Sequence, residues 1–315
     1  MEVFKIKRIY MRFPEGRKKA LTLSYDDAVI QDKKMMKILD ESGLKCTFNI
    51  NTGCFSAEGS KESRRMTMSD TLKTFGNSKH EIAIHSRNHL YLDKIPNEWA
   101  ANEIIEDRIA AEQMFGRIIK GFAYPFEKPA ERIKNVLRTA GIAYARTTCC
   151  TGRFDIPEDW LEWNPTCWHS HGKLMELTEE FLKDNALPIM DIPKLMMVGG
   201  HSYEFDLDDN WNLLDEFISR VSQRDDVWYA TNMEIYNYIK AYESLQYDYR
   251  CTMCYNSSSV NVFLDVDGIT YVAKPSETIV FLNKFYRKGE KKNEIKKSNC
   301  HSFNGCHMRS GIYRM

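Results

Sequence analysis

Short apolar runs alternate with longer amphipathic ones along the chain. Seven of the short runs read as strands: Leu21–Ser24, Cys46–Ile50, Ile82–His85, Gly121–Tyr124, Ala143–Thr147, Leu195–Val198 and Val227–Ala230. Between them the spacing predicts helices over Asp32–Ser42, Asn97–Phe115, Ala130–Ala140, Leu174–Asn185 and Asp209–Gln223. Asp32–Ser42 and Ala130–Ala140 each run into a glycine, Gly43 and Gly141, where a left-handed C-cap is wanted. In Asn97–Phe115, Ala101, Ile104, Ile105, Ala111 and Phe115 fall roughly on one face, which predicts the buried side. Strands alternating with helices predict a parallel α/β architecture, open or closed into a barrel. In either form functional residues collect at the C-terminal ends of the strands.

The pattern changes after about Ser244. "VNVFLDVDGITYVAKPSETIVFL" alternates apolar and polar residues around Asp267-Gly268, which predicts a β-hairpin. Beyond it the chain is basic and nearly free of aliphatics, the composition of a weakly ordered tail. The expected organisation is an α/β domain over residues 1–244, a small β-rich extension over 245–283 and a tail over 284–315.

Composition narrows the classes. A chain of 315 residues with 43% hydrophobic and 12% aromatic residues can bury a sizeable core. Its 44 basic residues balance 44 acidic ones, which gives no support for nucleic acid as a partner. The N-terminal stretch has scattered charges and no secretory apolar run, and no later run reaches the roughly 18 apolar residues of a membrane span. No membrane partner and a cytoplasmic location are expected. Nine cysteines fit free thiols better than a disulfide framework. Cys251-x-x-Cys254 has zinc spacing, and Cys300-His301 and Cys306-His307 carry ligand-type side chains. The 45 residues between the two halves make free thiols the preferred reading.

Candidate chemistry lies at strand ends. "LTLSYDDA" closes the first strand with Asp26 and Asp27 side by side. Adjacent buried carboxylates repel, so a bound cation, or a division into ligand and base, is expected. "IAIHSRNH" closes the third strand with His85 and His89, which converge if the chain turns helically. Two imidazoles and a carboxylate form the three-ligand set of a catalytic metal site. "GFAYPFEKP" closes the fourth strand, where Pro125 pins a bend that can hold a backbone N–H in place for an oxyanion. "LMMVGGHSYEF" closes the sixth and puts His201 after two glycines, an acid/base candidate. Tyr124, Trp163 and Trp168 are candidates for binding substrate, with Trp160 beside them, and core packing is the alternative for each tryptophan.

The ordered set "TLSYDDA", "HSRNH", "AYPFEKP" and "GGHSYEF" resembles the successive motifs of the polysaccharide deacetylases, the NodB-homology fold of carbohydrate esterase family 4. "FDIPEDWLEWNPTCWH" and "YNSSSVNVFLDVDG" are similar to a bacterial branch with a β-rich tail. The resemblance implies a distorted (β/α) barrel of about seven parallel strands with a small C-terminal β appendage. It implies a hydrolase that removes acetyl groups from N-acetylated sugars, with a carbohydrate as its partner. Asp27, His85 and His89 would hold one divalent metal, zinc before cobalt, nickel or iron. Asp26 would be the base, His201 the acid, and a backbone N–H near Phe126 an oxyanion donor. Asp155 or Asp159 would orient His201. Three departures from the family pattern stand out: Ala28 and Glu127 where glycine is usual, and Ala123 where an arginine pairs with the base. The last predicts an Asp26 with raised pKa unless another cation substitutes. The rival readings are an O-acetyl esterase, a small-molecule amidohydrolase and a catalytically weak carbohydrate-binding protein.

Overall fold

The computed structural model describes residues 8–60, 63–126, 130–184 and 191–281. The strands are β1 (Ile9–Arg12), β2 (Lys19–Asp26), β3 (Cys46–Ile50), β4 (Glu81–Ile84), β5 (Gly121–Ala123), β6 (Tyr144–Arg146) and β7 (Cys167–Trp168), followed by β8 (Lys194–Gly200), β9 (Val227–Tyr229), β10 (Gln246–Tyr247), β11 (Met253–Tyr255), β12 (Val262–Val266), β13 (Ile269–Ala273) and β14 (Thr278–Val280). The helices are α1 (Asp32–Ser42), α2 (Met68–Phe75), α3 (Asn97–Phe115), α4 (Glu131–Thr139), α5 (Leu174–Leu182), α6 (Glu204–Leu207), α7 (Trp211–Val221) and α8 (Asn232–Glu243).

One parallel sheet runs β6-β5-β4-β3-β2-β8-β7, with β9 added on β2. Along β2, Lys19–Leu21 pair with β9 and Leu23–Asp26 pair with β3, while β8 takes the other edge. Sharing one strand edge between two neighbours bends the sheet into a distorted barrel. The segment after β6 draws the two ends together. Trp163 N donates to Ala145 O (2.9 Å) and Thr147 N to Trp163 O (2.9 Å), and three residues on Thr166 N donates to Met197 O on β8 (2.9 Å).

The alternation in "LTLSYD" has a direct structural counterpart. Leu21, Leu23 and Tyr25 pack into the main apolar cluster with α1, α3 and α7 residues. Thr22, Ser24 and Asp26 point the other way and are just as buried. They meet a polar ladder: Thr22 Oγ1 donates to Asn232 Oδ1 (2.7 Å), and Asn49 Nδ2 donates to Ser24 Oγ (3.0 Å) and Asp26 Oδ1 (2.8 Å). The polar side of the barrel interior is thus hydrogen-bonded, as burial of these groups requires, next to an apolar cluster with Ala20, Leu195 and Met197 on the same face. At its mouth the ladder ends on a carboxylate.

Long helix α3 follows a different stripe from the one its apolar residues suggest. Ala100, Glu103, Ile104, Asp107 and Ala111 are buried, while Ile105 is exposed. Two carboxylates one turn apart therefore face inward, which apolar periodicity could not indicate. The strand runs are all present, with ends shifted by no more than two residues. Helix α8 was not among the expected helices, although Thr231 and Glu234 form the capping box that announces it.

The C-terminal hairpin turns at Asp267 (φ 51°) and Gly268 (φ 81°), the two left-handed positions of a tight two-residue connection. It does not stand apart from the N-terminus. Strand β1 pairs antiparallel with β12, and the sheet β1-β12-β13 packs through Val262, Leu264 and Val266 against Ala241 and Leu245. Residues 284–315, including Cys300, His301, Cys306 and His307, lie outside the described residues. Cys254 is buried and Cys251 exposed, both with free thiols. Leu264 is fully buried in the small cluster, so Leu264→Ala is expected to cost about 2–5 kcal/mol. Urea unfolding measures this, and a loss below about 1 kcal/mol would show a site that collapses without a cavity.

Candidate active site and metal centre

The candidate residues converge at the C-terminal mouth of the barrel. Asp26 ends β2, and Asp27 follows in a left-handed conformation (φ 88°). His85 follows β4, and the chain then turns through Ser86 (φ 65°) to His89 (φ 54°) instead of starting a helix. That turn brings the two rings to 4.9 Å between centroids at 77°. It is held from behind by α3. Glu103 accepts from Asn88 N (2.8 Å), Asn88 Nδ2 (2.6 Å) and Ser86 Oγ (3.1 Å), and Asp107 accepts from His85 N (3.2 Å).

Asp27, His85 and His89 each offer one ligand atom, all within 4.8 Å of one another. His89 Nε2 lies 3.6 Å and His85 Nε2 3.9 Å from Asp27 Oδ1. Ligands about 2 Å from a shared tetrahedral ion stand about 3.3 Å apart, close to these separations. His85 Nδ1 donates to the Ala123 carbonyl (2.8 Å), which fixes the tautomer and turns the Nε2 lone pair to the site. Burial pushes the His85 pKa down to about 4 and lowers that of His89, so both rings are neutral near pH 7 and can coordinate. His85 Nε2 and Asp27 Oδ1 are buried with no hydrogen bond among the described residues. The pair of orphaned atoms and the neutral imidazoles fit a divalent metal. Asp27 Oδ1 also lies 2.8 Å from Arg65 Nη2, in ion-pair range but off the hydrogen-bonding line.

Asp26 is 2% exposed and paired with the Arg146 guanidinium, itself wholly buried. Of the two outcomes expected from Ala123, the structure has the second, a substitute cation. Ala123 and Arg146 are register partners on adjacent strands, so their side chains share a face. The small side chain on β5 leaves room for the arginine on β6 to reach the base. Burial alone would raise the Asp26 pKa, but Arg146 first, then His85 and His201, bring it below the usual carboxylate range. Arg146 and Asn49 both engage Oδ1. Oδ2 faces His85 Nε2 (3.8 Å) and His201 Nε2 (4.0 Å).

His201 follows β8, where Gly200 lets the chain pass His169; a Cβ at Gly200 would sit 2.0 Å from His169 Nδ1. The partner of His201 is Glu204, one helical turn on, with Oε1 3.3 Å from Nδ1. Asp155 and Asp159 do not orient it, because they pair with Arg153 (2.8 Å) and Lys134 (2.9 Å). Burial lowers the His201 pKa, but the Glu204 contact and both aspartates outweigh it and raise the pKa above the usual value.

The expected aromatic wall is placed elsewhere. Trp163 is 2% exposed, packs edge-on against Tyr144 and Trp160, and closes the barrel. Tyr124 is buried and its hydroxyl donates to Leu161 O (2.9 Å). Trp168 is nearly buried, with His201 stacked 5.5 Å from its ring and Arg146 5.3 Å from it. Next to the ligands, Tyr91 is exposed and stacks 3.5 Å from Phe126, whose ring lies 4.8 Å from His89 in a T-shaped contact. The Phe126 N–H forms no hydrogen bond among the described residues.

Arg146, Glu204 and Arg65 were not singled out in the sequence. A lone arginine inside an apolar strand needs a buried carboxylate, and "HSYE" has helical i,i+3 spacing, so two of the three left signals. Arg65 comes from an irregular segment and left none.

Residues 14–145 match the family described as polysaccharide deacetylase. A solved Mycobacterium smegmatis protein assigned to the polysaccharide deacetylases superposes with a TM-score of 0.53 at 17% identity, covering 76% of this chain and 96% of that one. Streptococcus pyogenes deacetylase PplD, solved with acetate, aligns at 18% identity and TM-score 0.41 over 45% of this chain and 61% of PplD, less than two thirds of its length. Bacillus subtilis peptidoglycan deacetylase PdaC gives 14% identity and TM-score 0.46, covering 72% and 94%. The first of these supports the fold. No curated protein matches by sequence. Among the described residues no helix is long and apolar enough to cross a membrane.

Ala28 sits at φ 51° and is 1% exposed. Left-handed backbone costs a residue with a Cβ roughly 1–2 kcal/mol, against roughly 0.5–1 kcal/mol of added chain entropy and ~0.8 kcal/mol of lost methyl burial for glycine. Ala28→Gly is therefore expected within about 0.5 kcal/mol of wild type, and Ala28→Val, branched at a left-handed position, to lose more than about 2 kcal/mol. Thermal and urea denaturation of both variants check this.

Proposed function

We propose that the chain, whose residues 14–145 match the polysaccharide deacetylase family, removes acetyl groups from N-acetylated sugars with the help of one divalent metal. The observation that carries this reading is the set of Asp27, His85 and His89, with two buried ligand atoms unsatisfied, beside a second, cation-balanced carboxylate. Zinc suits two imidazoles and a carboxylate, as do cobalt, nickel and iron. The metal supplies Lewis acidity toward the acetyl carbonyl and acidifies a water.

The chain's own residues divide the remaining work. Asp26 keeps Oδ1 on Arg146 and Asn49 and offers Oδ2, which takes a proton from the attacking water. His201, whose pKa Glu204 and the aspartates raise against its burial, gives a proton to the departing amine. The Phe126 N–H serves as a donor to the developing oxyanion. The exposed Tyr91–Phe126 step gives a sugar ring a face to stack on, a role for which Trp163 and Tyr124 are too buried.

Asp26→Asn is expected to bind metal nearly normally and to lose roughly 10²–10⁴-fold in turnover. Asp27→Asn and His85→Ala should lose metal. Elemental analysis and acetate release from chito-oligomers measure both. Wild-type acetate release by Asp26→Asn, or no hydrolysis of any acetylated sugar by metal-loaded protein, would overturn the reading.

The pH dependence follows from the two shifts. The base must be ionised, so rate falls as pH drops through the lowered Asp26 pKa. The acid must be protonated, so rate falls as pH rises through the raised His201 pKa. Arg146→Met removes the main group opposing burial of Asp26 and should move the acidic limb of kcat/KM to higher pH. An unmoved limb would mean that Arg146 does not set the ionisation of the base.

A further inference from the structure

We propose that Arg65 is a positioning residue of the metal centre, fixing the Asp27 carboxylate and joining the two ligand-bearing turns through Asn51. The inference rests on the reading of Asp27, His85 and His89 as metal ligands.

Arg65 belongs to none of the helices or strands, yet its backbone is anchored on the first ligand turn. Met66 N donates to Ala28 O (2.8 Å), Ile30 N donates to Arg64 O (3.0 Å), and Val29 and Arg65 form an antiparallel bridge. From there the guanidinium reaches three acceptor atoms. Nη1 donates to Asp27 O (2.8 Å) and Asn51 Oδ1 (2.6 Å), and Nη2 lies 2.8 Å from Asp27 Oδ1. Asn51 is 1% exposed and passes the contact on, its Nδ2 donating to His85 O (2.5 Å) and Ser86 O (2.6 Å). One guanidinium and one amide therefore connect the backbone of Asp27 to that of His85.

The connection has something to restrain. Asp27, Ala28, Ser86 and His89 all have positive φ, conformations that persist only when the surroundings over-determine them. Asp27 N and His85 N each donate to β3, to Asn49 O (2.9 Å) and Ile50 O (2.8 Å), but beyond those strand ends the turns have separate supports, α3 behind His85 and the segment Arg64–Met66 beside Asp27, apart from the Arg65–Asn51 link. Arg65 also places a positive charge beside a metal ligand. Repulsion of an incoming dication and pre-organisation of its ligands act in opposite directions. The fork geometry, which hydrogen-bonds a carbonyl and an amide oxygen while holding an ion-pair contact to the carboxylate, favours pre-organisation as the larger effect. A lysine could keep the charge but not all three contacts.

The test measures zinc affinity by chelator competition, and the visible spectrum of cobalt-loaded protein, for wild type, Arg65→Lys, Arg65→Met, Asn51→Ala and the double variant Arg65→Lys/Asn51→Ala. Each single variant is expected to bind about 10–100-fold more weakly, the usual effect of losing a group that orients a ligand, with an altered cobalt spectrum. The double variant should be little worse than the weaker single, because the two residues act as one link. Apo circular dichroism establishes folding, and Arg65→Lys carries the test if Arg65→Met does not fold. Wild-type affinity and spectrum in Arg65→Lys, or tighter binding in Arg65→Met, would overturn the proposal. His85→Ala separates the two claims. If it loses metal while Arg65→Lys binds normally, the positioning role fails and the ligand assignment stands. If it keeps a full equivalent, the ligand assignment fails and the positioning role with it.

Discussion

Two carboxylates on adjacent residues, both nearly excluded from water, cannot remain ionised without nearby positive charge. Much of the mouth of this barrel is organised around supplying it. Arg146 reaches Asp26 from the strand beside β5, and Arg65 reaches Asp27 from an irregular segment on the outside. The two aspartates point to different partners because Asp26 ends a regular strand and Asp27 has already left it at φ 88°. Adjacent residues of the same type thereby acquire different electrostatic surroundings. One is balanced within the barrel and keeps an oxygen free, and the other shares an oxygen with the histidine cluster.

The same requirement explains the polar barrel interior. A carboxylate and a guanidinium in an apolar tube would each be costly, since an imperfectly compensated buried ion costs several kcal/mol. Ser24, Asn49, Thr22 and Asn232 continue the hydrogen bonding inward from Asp26. Leu21, Leu23 and Tyr25 meet the helices on the outer face of the sheet. The inner face holds a second apolar cluster, with Ala20, Leu195 and Met197, and beside it the polar ladder that positions charge at the mouth.

Both ligand turns carry backbone strain. Positive φ values fall on Asp27 and Ala28 after β2 and on Ser86 and His89 after β4. Each turn is stabilised by polar groups: Glu103 and Asp107 of α3 behind the histidines, and Asp32, which accepts from Val29 N and Ser202 Oγ, between the first turn and the His201 loop. Burial pushes the carboxyls of Asp32 and Asp107 up to about 7. Such groups are protonated more readily folded than unfolded, so their burial becomes destabilising as pH rises from about 4 toward 7.

The amino-acid pattern by itself marked seven strands of the parallel sheet and the helices α1, α3, α4, α5 and α7, because period-two and period-3.6 burial are local properties of the chain. It also marked Asp26, Asp27, His85, His89 and His201, since strand ends are where an α/β fold exposes chemistry. The hairpin at Asp267-Gly268 was legible for the same local reason. Only tertiary structure decided which charges meet. Arg146 replaces the expected arginine at Ala123 because register places neighbouring strands' side chains on one face, and register is a property of two segments. Glu204 displaces Asp155 and Asp159 because orientation depends on which carboxylate can reach Nδ1. Trp163 and Tyr124, candidates for binding substrate in the sequence, are buried by the closing of the barrel, whereas Tyr91 is exposed and stacks on Phe126. Arg65 required the folded chain entirely: it is distant from its acceptors in sequence, and no periodicity connects an irregular segment to the turn it supports.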